Sequence, residues 1–147
     1  MKIKVINGPN INMLGIREPG IYGSENYKTL LKQIKDYSKR LRIHIDCYQS
    51  NHEGDLVDCI QSCYGKYDGI VINPGAYTHT SIAILDAAKA VQLPIVEVHI
   101  SKVEEREDFR QVSYIRKACV KTITGKGING YLEAIQFLFD SSEKDRR

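Results

Sequence analysis

Gly69-Ile70-Val71-Ile72-Asn73-Pro74-Gly75-Ala76-Tyr77-Thr78-His79-Thr80-Ser81 is the stretch whose reading decides the fold. It opens on a short apolar run rich in β-branched residues and bounded by turn formers, the pattern of a strand buried on both faces in a parallel sheet. The strand should stop at Asn73, because Pro74-Gly75 forces the chain to turn. Tyr77, Thr78, His79, Thr80 and Ser81 then crowd hydrogen-bonding groups into one loop. A helix is expected from about Ser81, with Thr80 or Ser81 as its cap. In open α/β sheets, ligands bind beyond the carboxyl ends of the strands, where the strand order reverses. A central strand ending in Asn73-Pro74-Gly75 and running into a His-bearing loop is a candidate for that place.

Working outward toward the N-terminus, Leu56–Gly65 has the spacing of a short amphipathic helix, entered from a turn over Ser50–Asp55. Arg42–Gln49 alternates and predicts the second strand. From about Asn26 the period is helical, with Tyr27, Leu30, Leu31, Ile34 and Leu41 on one face. Lys2–Ile6 predicts the first strand, broken by Asn7-Gly8-Pro9-Asn10. The segment from there to Ser24 is long for a βα connection and carries Arg17, Glu18 and Tyr22, as functional loops and lids do. Toward the C-terminus, a helix over Ile82–Val91 is stopped by Gln92-Leu93-Pro94, and Ile95–Ile100 predicts the fourth strand. Lys102–Arg116 is charged, with Phe109 as its expected anchor and a helical turn or two. Val120–Thr124 predicts a fifth strand and Tyr131–Phe139 a final helix, with Ser141–Arg147 expected to fray. Strands alternating with helices over one domain spanning 1–147 predict an α/β fold. The expected form is a flavodoxin-like doubly wound five-stranded parallel sheet of order 2-1-3-4-5, with helices on both faces.

Composition narrows the function. The formal charge of +3 on 147 residues, without a long Lys/Arg block, argues against nucleic acid as a partner. No apolar run approaches the roughly 20 residues of a membrane span. Met1-Lys2-Ile3 leads straight into a strand pattern, so no signal peptide is expected and the cytoplasm is the default location. Cys47, Cys59, Cys63 and Cys119 form no CxxC pair and read as buried thiols of a reducing compartment.

The predicted sheet brings three polar segments, Asn10–Tyr22, Asn73–His79 and His99–Arg110, to one edge. On the fourth strand, alternation puts Glu97 and His99 on the face opposite Val96, Val98 and Ile100. Glu97 can fix the tautomer of His99 and favour its protonated form, as an acid or base requires, although Glu-x-His alone also describes a satisfied core histidine. Arg17 near Tyr22 can lower a phenol pKa by roughly one to three units; a solvated arginine beside a packed tyrosine fits the same loop. Arg106 and Arg110 share a face if that segment is helical, and with the backbone N–H groups of Ile100 and Ser101 they can hold an anion. A surface charge run with Glu104, Glu105, Glu107 and Asp108 is the alternative. There is no GxGxxG after the first strand and no GxxxxGK[ST], which argues against dinucleotides and nucleoside triphosphates. No His or Cys falls at metal-ligand spacing. What remains is acid–base work without a metal or cofactor on a small polar, anionic molecule.

Five motifs occur in order: Asn7-Gly8-Pro9-Asn10; Arg17-Glu18-Pro19 with Tyr22-Gly23; Gln49-Ser50-Asn51-His52-Glu53-Gly54; Asn73 through Ser81; and Glu97-Val98-His99-Ile100-Ser101 with Arg106, Phe109 and Arg110. Together they resemble type II 3-dehydroquinate dehydratase from the first strand to about Ser113. The resemblance implies a flavodoxin-like fold, no metal or cofactor, and dodecamers built from trimers. It also implies dehydration of 3-dehydroquinate to 3-dehydroshikimate through an enolate, in the shikimate pathway. It makes Tyr22 the base, Arg17 the group favouring its phenolate, and Asn10 the holder of a water against the enolate oxygen. His99, oriented by Glu97, becomes the acid. Asn73 positions His99 and the substrate, the amides of Ile100 and Ser101 take the carboxylate, and His79 and Arg110 hold ring hydroxyls. Arg106 supports this edge, and Asp86 reaches a neighbouring subunit's site. Three positions depart from the family pattern: Lys102, where a small amide is expected, and Lys121 and Lys126, where small or apolar residues are usual. The rival expectations are a flavodoxin-like binder of a small anion that does not turn it over, and a flavin carrier, for which the loop after the first strand lacks Ser/Thr.

Overall fold

The structure, a computed structural model, describes residues 1–16 and 25–146. Arg17 and Tyr22 lie outside the described residues. Five strands form one parallel sheet in the order β2-β1-β3-β4-β5: β1 (Lys2–Asn7), β2 (His44–Gln49), β3 (Gly69–Asn73), β4 (Ile95–His99) and β5 (Lys121–Thr124). The helices are α1 (Tyr27–Leu41), α2 (Glu53–Ser62), α3 (Ile82–Val91) and α4 (Asn129–Asp145). Alternation along each strand splits the core into two layers. Ile3, Val5, Val71, Val96 and Val98 pack with Leu30 and Ile34 of α1 and Tyr131, Ala134, Ile135 and Leu138 of α4. Ile6, Ile70, Ile72 and Ile95 pack with Leu56 and Ile60 of α2 and Ile84, Ala88 and Val91 of α3. One helix pair therefore covers each face, the doubly wound arrangement expected.

The local chemistry that starts and stops the helices is visible. Asn26 caps α1 by accepting from Thr29 N–H at 2.8 Å, and Arg42, left-handed at φ 57°, ends it. Ser81, and not Thr80, caps α3 through Ile84 N–H at 3.0 Å. Both are local side-chain-to-backbone bonds of the kind that favours these residues at helix starts. Among the described residues no helix is long and apolar enough to cross a membrane.

Three expectations are corrected. The helical turns expected over 102–116 are present as 3₁₀ turns over Val103–Glu105, Asp108–Arg110 and Ile115–Ala118, but they do not join into one helix, and Arg106 between them is extended at φ −96°, ψ −169°. Arg106 and Arg110 therefore do not share a helical face. Phe109 is 66% exposed and lies outside the buried core of the described residues; Val103 and Ile115 are the buried residues of the segment. The final helix runs to Asp145, beyond the expected end at Phe139, with Gln136 donating to Asp140 at 2.8 Å and an Arg146–Glu143 pair at 3.4 Å.

Lys102, Lys121 and Lys126 have surface partners. The Lys102 ammonium is 3.9 Å from Glu105, Lys126 is 2.7 Å from Glu133, and Lys121 lies 5.1 Å from the centre of the Phe137 ring.

Candidate active site

Parallel strands deliver their last residues to one rim. Asn7 and Asn73 are register partners at the ends of β1 and β3, the two strands between which the order reverses. Gly8 N–H donates to the Asn73 carbonyl at 2.8 Å. A Cβ on Gly8 would stand 2.3 Å from the Pro74 carbonyl oxygen, so the two loops approach as closely as only glycine permits. Asn10 then takes a left-handed conformation, φ 70°, which asparagine tolerates better than most residues. Its N–H donates to Asn51 Oδ1 at 3.0 Å. Gln49 Nε2 is within 3.2 Å of the Gly8 carbonyl, Asn12 Oδ1 and Asn51 Oδ1. The motif after β2 thus shapes the loop after β1.

At β3, Asn73 Oδ1 accepts from Gly75 N–H at 3.1 Å and Asn73 Nδ2 donates to the Tyr131 hydroxyl at 2.9 Å. That hydroxyl donates to Asn7 Oδ1 at 2.6 Å. The following turn places His79, whose Nδ1–H donates to the Val112 carbonyl at 2.7 Å, leaving Nε2 as an acceptor. Burial and the nearby cations Arg110 and Arg106 hold the His79 imidazole below its usual pKa, toward the neutral form.

β4 is buried throughout, Glu97 and His99 included. His99 Nε2 donates to Glu97 Oε2 at 2.6 Å, so Nδ1 is the nitrogen left to the cavity. Glu97 also accepts from Ser113, Arg116 and Thr122. Burial alone would raise its pKa; the hydrogen bonds from His99, Arg116 and Ser113 and the charge on His99 outweigh this and bring it to about 2. The carbonyls of His99 and Ile100 accept from Gly125 and Gly127 N–H at 3.2 and 3.1 Å. A trans peptide points its N–H opposite its carbonyl, so the amides of Ile100 and Ser101 face away from that turn.

These groups border a cavity that is partly open to solvent. Asn10, Asn73, His79, His99, Ile100, Ser101, Arg106 and Arg110 all line it, with Pro9, Ile11, Gly75, Ala76 and Val103. Glu97 sits behind His99 and does not line it. Arg110 Nε is 2.6 Å from Glu107 Oε2 at the mouth. Asp86 lies on the exposed side of α3 and is not among the lining residues. Among the described residues no three His, Cys, Asp or Glu side chains are grouped to hold a metal ion. Sequence reasoning did not single out Tyr131, Asn7, Ser113, Arg116 or Thr122 as members of the buried networks. The one signal available was Tyr131, whose hydroxyl needs a partner on the apolar face of the last helix.

A parallel sheet of this order, with a buried carboxylate–imidazole pair and a donor-lined cavity at its switch point, defines a flavodoxin-like α/β protein with a candidate ligand site at that rim. Residues 1–139 match the family Dehydroquinase class II. The chain is 54% identical to the 3-dehydroquinate dehydratase of Fusobacterium nucleatum over 147 residues, covering 98% of this chain and 100% of that protein. The crystal structure of type II dehydroquinase from Butyrivibrio crossotus superposes with a TM-score of 0.92 at 55% identity, covering 94% of this chain and 97% of that one. The type II dehydroquinase of Propionibacterium acnes gives a TM-score of 0.91 at 36% identity, covering 95% and 96%. The chain belongs to the class II dehydroquinase family.

Proposed function

We propose that this protein dehydrates 3-dehydroquinate to 3-dehydroshikimate without a metal or cofactor. The observation that carries the reading is the buried Glu97–His99 pair opening onto a cavity lined by Asn10, Asn73, His79 and Arg110, in a chain half identical to dehydratases of that name. The proton beside a ketone is weakly acidic, so its removal needs a base and a stabilised enolate. Tyr22, as the phenolate favoured by Arg17, takes that proton; a water held by Asn10 faces the enolate oxygen. The enolate collapses, the C–O bond to the tertiary hydroxyl breaks, and His99, protonated and oriented by Glu97, gives its proton so that water leaves. The Ile100 and Ser101 amides take the carboxylate. Asn73, His79 and Arg110 hold the ring, with Arg106 at the same edge. Assembly as a dodecamer of trimers, with Asp86 entering a neighbouring site, and a cytoplasmic place in the shikimate pathway belong to the same reading.

The test is enone absorbance after adding 3-dehydroquinate to purified protein treated with chelator. Turnover that survives chelation and is lost in Tyr22→Phe with folding intact supports the reading. Binding without turnover favours the non-catalytic anion binder, and near-normal turnover in Tyr22→Phe removes the assigned base.

A further inference from the structure

Glu97 is fully buried and surrounded by donors. Oε2 accepts from His99 Nε2 at 2.6 Å and Ser113 Oγ at 2.7 Å; Oε1 accepts from Arg116 Nε and Thr122 Oγ1, both at 3.0 Å. A second guanidinium nitrogen of Arg116 is 3.4 Å from Oε2, so the arginine meets both oxygens. Only His99 of these donors lines the cavity. The other three come from the connection after β4 and from β5, and each is fixed by its own anchor. Ile115, 1% exposed, pins the turn that carries Arg116. Tyr114 N–H donates to the Thr78 carbonyl at 3.0 Å, and the Val112 carbonyl accepts from His79. Thr122 is the register partner of Glu97.

We propose that Arg116 and Thr122, together with Ser113, are positioning residues that act on His99 through Glu97. A carboxylate only accepts, so four converging donors hold it ionised and in one orientation. A fixed Glu97 confines the His99 proton to Nε2 when the ring is neutral and turns Nδ1 to the cavity. The charged neighbours Glu104 and Arg110 line a pocket with Arg116 and Thr122 but have partners of their own, Glu104 accepting from Thr124 at 3.1 Å and Arg110 lying 2.6 Å from Glu107. Cys119, at the end of the Arg116 turn, stays a thiol because burial and then the Glu97 charge push it up to about 12. The inward residues of α3 facing this layer are Ile84, Ala87, Ala88 and Val91, and β5 contributes the neutral Thr122. Arg116 is 45% exposed, so the guanidinium reaches a buried anion from the surface and can be replaced without opening the core. The inference rests on His99 being the acid.

The test uses the full chain as Arg116→Met, Arg116→Lys, Thr122→Val and the Arg116→Met/Thr122→Val pair. Each is read by dehydratase kinetics, by ¹⁵N shifts of the His99 ring, and by the pH at which the Glu97 carboxyl ¹³C signal titrates. Arg116→Met is expected to lower kcat about tenfold with KM within twofold. It should also move the Glu97 titration to higher pH and weaken the Nε2–H preference of His99. Arg116→Lys restores charge but not the two-point contact and is expected to fall between. Thr122→Val tests the same oxygen with little change of shape, so it covers the case in which the arginine variant unfolds. Unchanged kcat, ring shifts and Glu97 titration in the folded double variant would overturn the proposal. If the unmodified protein lacks dehydratase activity, the proposed function fails by itself, while the two spectroscopic readouts still decide whether the cluster governs His99.

Discussion

Asn73 Nδ2 donates to the Tyr131 hydroxyl at 2.9 Å, although the two residues are 58 apart in sequence. The contact joins the end of β3 to the first turn of α4, and through Asn7 Oδ1 at 2.6 Å it also joins the end of β1. All three side chains are buried. In Tyr131→Phe the ring still fills its place in the core, but Asn73 and Asn7 lose a shared partner where both side chains are buried. Leaving such groups unmade costs about 1–3 kcal/mol. A urea titration should show this loss at unchanged m-value. Activity should fall as well, because Asn73 lines the cavity and is oriented by that bond.

Gly8 is required for a different reason. Its Cβ position is 2.3 Å from the Pro74 carbonyl oxygen and 2.6 Å from its carbon, both rigid backbone atoms. In Gly8→Ala the loops after β1 and β3 must separate, stretching the 2.8 Å bond from Gly8 N–H to the Asn73 carbonyl. Overpacking of this kind costs about 1–3 kcal/mol, and more where only backbone can yield. Expected are a lower melting temperature and a raised KM, since Asn10 follows two residues later. An alanine variant with wild-type melting and kinetics would show that the loops can part freely.

Glu97 ties stability to pH. Its carboxyl is brought from an ordinary 4.5 to about 2 in the folded protein: burial opposes the shift, and bonds from His99, Arg116 and Ser113 overcome it. A folded-state pKa below the unfolded value stabilises above the unfolded pKa, and the benefit fades as pH falls through the folded one. The contribution is therefore complete above pH 4.5 and lost toward pH 2, on the order of 3 kcal/mol at about 1.4 kcal/mol per unit. Glu97→Gln should flatten the acid limb of a stability–pH curve. Its amide sets two hydrogens against four donors, so a drop in kcat of about 10²-fold or more is also expected if the pair performs acid catalysis.

The strand order was legible because Gly69–Asn73 and Ile95–His99 are short β-branched runs that only a sheet covered on both faces buries, and right-handed crossovers then leave few arrangements. Asn10, Asn73, His79 and His99 were legible as a group because the fold brings strand ends together whatever their distance in sequence. The shape of residues 102–116 was not. Arg106 and Arg110 have helical spacing, but the segment must bury Val103 and Ile115 while presenting Ser113 and Arg116 to Glu97, and 3₁₀ turns meet those demands where a straight helix does not. Phe109 misled for the reason a lone aromatic often does: hydrophobicity alone does not say whether a residue is inside. Arg116 and Thr122 carried no signal because a surface-type arginine and a strand threonine become notable only once a buried carboxylate is found between them.

His79 gives the last prediction. Its Nδ1–H is committed to the Val112 carbonyl at 2.7 Å, so a neutral ring offers Nε2 to the cavity as an acceptor. Burial comes first among the causes that lower its pKa, followed by repulsion from His99, Arg110 and Arg106; the bond to Val112 works the other way without prevailing. The folded pKa therefore lies below 6.5. Stability linked to this group is present above pH 6.5 and declines as pH falls through the lowered value. Protonation also converts Nε2 from acceptor to donor. A ligand hydroxyl that donates to Nε2 should thus bind more weakly as pH drops through that value, and the effect should vanish in His79→Gln. If His79 contributes equally to ground and transition states, the same variant raises KM about tenfold with kcat little changed, about 1.4 kcal/mol of binding. Isothermal titration of a non-reacting analogue at several pH values measures the first effect, and steady-state kinetics the second. A pH-independent affinity would show that His79 does not accept a hydrogen bond from the ligand.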